Sequence, residues 1–216
     1  MLIAIEGIDG SGKGTQAARV TEQLREQGQT VELLSFPRYD ATFFGRAVGE
    51  FLNGKFGTLD EVHPFLASLL YAGDRYESRD VLNAALDQND VVVLDRYVAS
   101  NIAHQGAKAE GDQRQQLIQA IEHLEHEIYS LPRPNRTILL DLPVEVAQQL
   151  IARKAKRTYT EKSADLQEAD AAYLSKVQAV YRELAADNET WSVIECVRNS
   201  ELRTLDEITS SILNQL

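Results

Sequence analysis

Near its start the chain reads Leu2-Ile3-Ala4-Ile5-Glu6, followed at once by Gly7-Ile8-Asp9-Gly10-Ser11-Gly12-Lys13-Gly14-Thr15-Gln16. A short, nearly all-apolar run is the pattern of a strand buried on both faces of a parallel sheet. Behind the glycines, Ala17, Val20 and Leu24 recur at helical spacing until Gly28 supplies a stop. Two glycines separated by four residues and followed by lysine, set between a strand and a helix, make a phosphate-binding loop. Glycines let successive backbone N–H groups turn inward, the helix N-terminus adds partial positive charge, and the lysine reaches the terminal phosphates. Gly7, Gly10, Ser11, Gly12, Lys13, Gly14 and Thr15 are therefore the expected cradle for a nucleotide's phosphates.

Two positions depart from that pattern. The residue after Lys13 is usually Ser or Thr, whose hydroxyl sits on magnesium, and here it is Gly14. Magnesium keeps waters readily and often takes only a carboxylate plus substrate phosphates, so the loss is tolerable if another group holds the ion. Asp9 lies inside a loop meant for polyanions. It is suited to that task, or to accepting a hydrogen bond from a sugar hydroxyl of a second nucleotide; otherwise it is a turn-former.

Further along, Val31 to Ser35 reads as a second strand, and Leu59 to Leu86 as one long helical pattern bent near Gly73. Val91 to Leu94 is a third buried strand ending at Asp95, and Ile138 to Leu140 a fourth, followed by a helix from Pro143. Ser192 to Cys196 is a fifth, before a helix carrying Leu205, Ile208, Ile212 and Leu216. Apolar strands alternating with helices predict an α/β fold, a five-stranded parallel sheet covered by helices on both faces. At 216 residues the chain suits one compact domain over 1–216. Ligands of such sheets bind beyond the carboxyl ends of the strands. Gly7 to Thr15, Phe36 to Tyr39, Asp95 to Gln105 and the loop after Cys196 all fall there.

Charge narrows the partners. A net charge of -11, from 33 acidic and 22 basic residues, argues against sequence-independent binding to nucleic acid. One cysteine excludes an intramolecular disulfide and suits a reducing compartment; Cys196 reads as a buried structural thiol. No charged leader and no apolar run of membrane-spanning length is present, so a cytoplasmic protein without a membrane partner is expected. The scarce cations then matter by position: Arg38 in "FPRY", Arg75 in "GDRY", Arg96 in "LDRY", and Arg153, Lys154, Lys156 and Arg157 in "RKAKR".

Moving a phosphoryl group between two nucleotides brings two anions together, and such residues would neutralise both. The basic cluster reads as a flap over about 153–164, or as a solvated helix face; Arg75 reads as a ligand contact, or as an ion-pair partner of Asp74. Arg96 follows a buried strand ending in Asp95, where phosphate-loop enzymes carry a magnesium-associated carboxylate. A phosphate acceptor needs no general base, because its second pKa lies near 6. His123 and His126 are spaced like metal ligands, but the run "EHLEHE" reads better as a solvated helix face.

Taken in order, "EGIDGSGKGTQ", "FPRY", "GDR", "LDRYVASN", the basic segment ending near "ADLQE" and "VYRELA" resemble the thymidylate kinase family over nearly the whole length. "GKGTQ" alone is shared with adenylate kinases, whereas "FPR" with "DRYVAS" is specific. The resemblance implies a nucleoside monophosphate kinase-like P-loop fold, and ATP-dependent phosphorylation of dTMP to dTDP with Mg2+. It implies that Lys13 and its loop bind the ATP phosphates, and that Arg96 and Arg38 hold the dTMP phosphate. Tyr71 would stack on thymine, Arg75 donate to its exocyclic oxygen, Pro37 lie by its methyl group beside Phe36 and Tyr39, and Asn101 and Gln105 meet the base edge. Asp9 would lie near the deoxyribose and magnesium, with Asp95 and Glu168 as further metal carboxylates.

Members carry an arginine either in the phosphate loop or in the flap. Here Ile8, Asp9, Gly10 and Ser11 contain none, so the resemblance assigns the catalytic arginine to Arg153 or Arg157, with Asp165 and Glu168 as an acidic pair behind it. The resemblance also implies a homodimer packed through long helices; Arg198 and Asn199 are candidates for the adenine. One departure stands out. Where relatives carry Tyr or Phe near the sugar, which helps disfavour a ribose hydroxyl, this chain has His104. A guanine-nucleotide switch is disfavoured by the lack of an Asn-Lys-x-Asp segment, and an adenylate or uridylate kinase by "FPRY" and "LDRYVASN".

Overall fold

A computed structural model describes residues 1–58, 61–153, 170–186 and 188–216. In chain order, β1 (Leu2–Glu6) leads through the glycine loop into α1 (Lys13–Glu26) and β2 (Val31–Ser35). Next come α2 (Phe43–Leu52), α3 (Pro64–Glu77), α4 (Arg79–Gln88), β3 (Val91–Asp95), α5 (Val98–Gly106) and α6 (Gly111–Glu122). A π-helical turn, His123–Ile128, prolongs α6 before β4 (Arg136–Asp141), α7 (Val144–Arg153), α8 (Ala171–Ala185) and β5 (Trp191–Glu195). A small hairpin, β6 (Val197–Arg198) with β7 (Glu201–Leu202), and α9 (Leu205–Leu213) finish the chain.

The five long strands form a parallel sheet in the order β2-β3-β1-β4-β5. Both faces are covered, which is why its inner strands are apolar without alternation. Ile3, Ile5, Val91 and Val93 pack with Ala17, Val20 and Leu24 of α1 and Leu174, Val177 and Tyr181 of α8. Leu2, Ala4, Val92 and Leu94 face the other way, against Leu82 of α4, Val98 and Ile102 of α5 and Leu117 of α6. Because β1 and β3 are neighbours in register, with Ile5 opposite Asp95, the glycine loop and the Asp95-Arg96 segment leave the sheet side by side.

Several expectations are corrected. The pattern read as one helix bent near Gly73 is two helices, α3 and α4, parted at Ser78, whose N–H still reaches the carbonyls of Asp74 and Arg75. Gly73 is instead a point of close approach: a Cβ there would meet the Phe44 ring at 2.6 Å. Val81, within that pattern, is exposed. The sequence reading passed over α2, which forms its own small core with α3 from Val48, Phe51, Leu52 and Ala67. Cys196 lies one residue beyond β5, buried, and burial pushes its thiol up to about 12, as suits a structural group. Among the described residues, no helix is long and apolar enough to cross a membrane.

Candidate active site

The glycine loop ends on Gly12, the N-cap of α1, which has no side-chain cap and no acid in its first turn. By contrast α2 and α9 are capped by Thr42 and Thr204. The first N–H groups of α1 are thus left for an anion. Lys13 is buried and donates to the carbonyl of Ile8 at 2.8 Å. Burial above all, and then repulsion from Arg96, pushes its ammonium down to about 7 against the pull of Asp9, Asp95 and Glu6.

Gly14 has a structural reason. A Cβ at that position would meet Oδ2 of Asp95 at 2.9 Å, so the carboxylate of the neighbouring strand stands against the point from which a Ser or Thr would project. The other carboxylate oxygen, Oδ1, is buried and has no hydrogen-bond partner among the described residues. Asp9, Gly10, Gly12, Lys13, Gly14, Thr15, Asp95 and Arg96 bound a cavity of about 310 Å³ here.

Arg96 pairs with Asp9 and donates to Ser100 Oγ at 3.2 Å. Burial opposes the guanidinium charge, but Asp9, Tyr181, Asp95 and Glu6 together hold its pKa above the ordinary value. Its φ of 67° is left-handed, a conformation that costs a non-glycine residue about 1–3 kcal/mol and persists only when its surroundings over-determine it. Those surroundings centre on Glu6. Its buried carboxylate accepts from the N–H of Tyr97 at 2.7 Å and of Ser100 at 3.2 Å, and from the hydroxyls of Ser100 at 2.6 Å and Tyr181 at 2.9 Å. Tyr97 is the N-cap of α5 and brings no side-chain cap of its own, so Glu6 caps that helix from β1. Burial raises the Glu6 pKa, and the bonds from Ser100, the Arg96 charge, Tyr181 and Tyr97 oppose it. The sequence reading saw in Glu6 only the end of a strand.

A second cavity, of about 280 Å³, opens from the same point. Asp9, Phe36, Pro37, Tyr39, Tyr71, Arg75, Arg96, Asn101, His104 and Gln105 all line it, joined by Ser35, Leu52, Asp95 and Ser100. Arg38 does not: its guanidinium donates to Ser78 Oγ at 3.2 Å, and its backbone N–H to Asp74 at 3.0 Å. His104 is buried, and burial, with smaller pushes from Arg96, Lys13 and Lys108 against the pull of Asp9, takes its pKa down to about 3. Its Nδ1 lies 3.1 Å from the Tyr173 hydroxyl.

Two readings fail in the wall of this cavity. Arg75 does not pair with Asp74, which is taken up by Thr42 and the backbone of Arg38. Both Nε and Nη2 of Arg75 donate to Glu125, the second at 2.6 Å. Burial opposes the charge on Arg75, yet Glu125 holds its pKa above the ordinary value. Glu125 also accepts from Asn101 Nδ2 at 2.8 Å. So "EHLEHE" is not simply a solvated face, since Glu125 is wholly buried. The overlooked signal was spacing: the buried Leu117 and Ile121 continue, four residues on, to Glu125.

The side chain of Arg153, and Lys154, Lys156, Arg157, Asp165 and Glu168, lie outside the described residues. Arg198 and Asn199 stand in the β6–β7 hairpin, and neither lines these two cavities.

The family described as thymidylate kinase matches the chain over residues 5–208. Thymidylate kinase of Mycobacterium tuberculosis is 34% identical over 186 residues, 86% of each chain. A probable thymidylate kinase of Archaeoglobus fulgidus is 33% identical over 202 residues, 93% of this chain and 89% of that one. The solved structure of thymidylate kinase from Candida albicans covers 99% of this chain and 89% of its own, with a TM-score of 0.73 at 28% identity. A glycine-rich phosphate-loop motif at the head of a five-stranded parallel sheet, two cavities that share Asp9, Asp95 and Arg96 in their walls, and a match that runs almost end to end agree with one another: the chain belongs to the thymidylate kinase family.

Proposed function

We propose that this chain transfers the γ-phosphoryl group of ATP to dTMP, giving dTDP and ADP, across the junction of its two cavities. One observation carries the reading. Asp9, Asp95 and Arg96 line both cavities, so a monophosphate in one would meet the end of a triphosphate in the other beside a guanidinium. ATP phosphates lie on the uncapped N-terminus of α1 and on Lys13. An oxygen of the dTMP phosphate attacks the γ-phosphorus in line, the bond to the bridging oxygen breaks, and ADP leaves. The attacking phosphate is already ionised at neutral pH, so no side chain has to remove a proton.

Arg96 exchanges Asp9 for the phosphates and stabilises the charge on the group in flight; Arg38 joins it by leaving Ser78, and Arg153 or Arg157 of the flap covers the ATP. Tyr71 stacks on thymine, with Pro37, Phe36 and Tyr39 beside it and Arg75, Asn101 and Gln105 at its edge. The partnerless Asp95 Oδ1 fits a magnesium ion, which Asp95 would hold with Asp9 and Glu168 as further carboxylates, and which supplies charge neutralisation between the phosphates.

A cytoplasmic homodimer completes the reading. Phe43 of α2 and Leu66 of α3 are 64% and 58% exposed, apolar area that a second copy would cover. A coupled ADP-release assay across dTMP, dUMP, UMP, CMP, AMP and GMP tests the whole. Turnover is expected with dTMP first, from a species sedimenting at twice 24.1 kDa; activity on AMP with none on dTMP overturns the assignment.

A further inference from the structure

We infer that Glu125 is a positioning residue that sets the hydrogen-bond polarity of the base cavity, and so selects a base with a carbonyl beside a ring N–H over one with an amino group beside a bare ring nitrogen. This rests on the thymidylate kinase reading above and adds a residue that acts through two others. Glu125 takes Nε and Nη2 of Arg75 and leaves Nη1, a donor only, to the cavity that Arg75 lines. The pair is buried on both sides, at 2% and 0% exposure, so the guanidinium arrives at the base already neutralised. It suits a neutral carbonyl rather than another phosphate.

The second effect falls on Asn101. Its Nδ2 donates to Glu125 Oε1 at 2.8 Å and to the carbonyl of Ser68 at 3.1 Å, which uses both of its hydrogens. Turned over, the amide would set its own oxygen against two acceptors, so its orientation is forced by chemistry. Oδ1 is then left buried and, among the described residues, without a partner: an acceptor, on a residue that lines the cavity, that a ring N–H would satisfy. Gln105, four residues on along the same face of α5, has both amide atoms unpartnered and can turn to suit either base. Discrimination therefore lies with Asn101 and with the carboxylate that holds it. Sites that hydrogen-bond a substrate strongly reject analogues lacking the matching group, because buried polar atoms are left unpaired.

The test is Glu125→Gln, which keeps the volume and removes one acceptor. Its amide nitrogen must face either Arg75, which loses its acceptor, or Asn101, which then turns its NH₂ to the base. The ratio of kcat/KM for dTMP over dCMP should fall at least about tenfold, the size of one lost charge-assisted hydrogen bond, with kcat/KM for dCMP rising. A purely structural role would slow both nucleotides alike, and an unchanged ratio in a folded variant overturns the inference. Should the variant not fold, the side-chain amide of Asn101 in the unaltered chain decides by NMR. Its two hydrogens should stay protected from exchange and nearly unshifted when dTMP binds; a large shift on binding overturns the inference. An unaltered chain inactive on dTMP would defeat the family's activity itself, whereas an active one with an unmoved ratio defeats only the role of Glu125.

Discussion

The two ends of the site handle charge differently. At the base end, Arg75 and Glu125 are 2% and 0% exposed and locked together. At the proposed phosphate end, Arg96 and Asp9 are 18% and 9% exposed, Lys13 rests on a backbone carbonyl, and Asp95 Oδ1 has no partner among the described residues. Breaking a buried pair leaves an uncompensated charge and is strongly unfavourable, so the proposed base end should keep its partners and read donors and acceptors. The phosphate end is assembled from provisional contacts that a polyanion can replace. Ligand binding there would exchange partners, so that end should carry the largest loss of turnover on charge deletion and the pH dependence of binding, while charge deletion at the other end should act on selectivity.

The sharpest way to break this contrast is Arg96→Ala. If the guanidinium serves the group in flight, turnover with dTMP should fall by about 10³-fold, the range found for arginines at transferring phosphoryl groups, while the dTMP KM changes far less. Asp9 would also lose that ion pair. Unchanged kcat in a steady-state assay removes Arg96 from the chemistry and leaves the phosphate end without its central cation.

Lys13 gives the next largest effect. On the proposed reading ATP binds the ammonium form, and bound phosphates would raise its pKa by supplying opposite charge. Free of ligand, its pKa is pushed down to about 7. As pH rises through that value the free chain loses the proton, and binding has to restore it. ATP affinity should therefore fall by up to about tenfold per pH unit above the free-state value and be flat with respect to this group below it. Calorimetry at about pH 8 in buffers of different ionisation enthalpy should detect uptake of close to one proton, and Lys13→Arg, charged at any working pH, should abolish it. No uptake by the unaltered chain would show that Lys13 is charged before ATP arrives.

How legible each end was in the sequence follows from the same division. Loop, lysine and helix are contiguous, and the cavity they bound follows from spacing alone; even Asp95 and Arg96 come as a pair at a strand terminus. What spacing could not supply was Glu6, because a carboxylate that ends a buried strand announces no target, and its partners at Tyr97, Ser100 and Tyr181 lie 91, 94 and 175 positions away. The base end was half legible: its lining side chains came from local motifs, but Glu125 stands 50 positions from Arg75 in a run whose composition suggests solvent. Arg38 shows the opposite limit, since its motif is local while its guanidinium rests on Ser78 in the ligand-free chain. The sheet was read from its apolar strands, whereas α2 was missed because its small core forms with α3 instead of the sheet.

His104 offers the smallest effect and the finest comparison, since it lines the base cavity yet titrates as nothing at the phosphate end does. The Tyr173 hydroxyl donates to the carbonyl of His104 at 3.0 Å, so the contact between that oxygen and Nδ1 at 3.1 Å has the ring as donor. That fixes the tautomer: Nδ1 carries the proton and Nε2 is a bare acceptor. A 2′-hydroxyl placed there could donate to such an acceptor, so the chain is expected to tolerate the ribo analogue of dTMP. His104→Tyr should lower kcat/KM for that analogue relative to dTMP by about 2–10-fold, the value of one net hydrogen bond; an unmoved ratio makes the position neutral. With its pKa pushed down to about 3, His104 stays uncharged throughout the neutral range. The sugar preference should therefore hold constant over the pH interval in which ATP affinity falls, and a preference that tracks Lys13 would mean that the two ends share their charge after all.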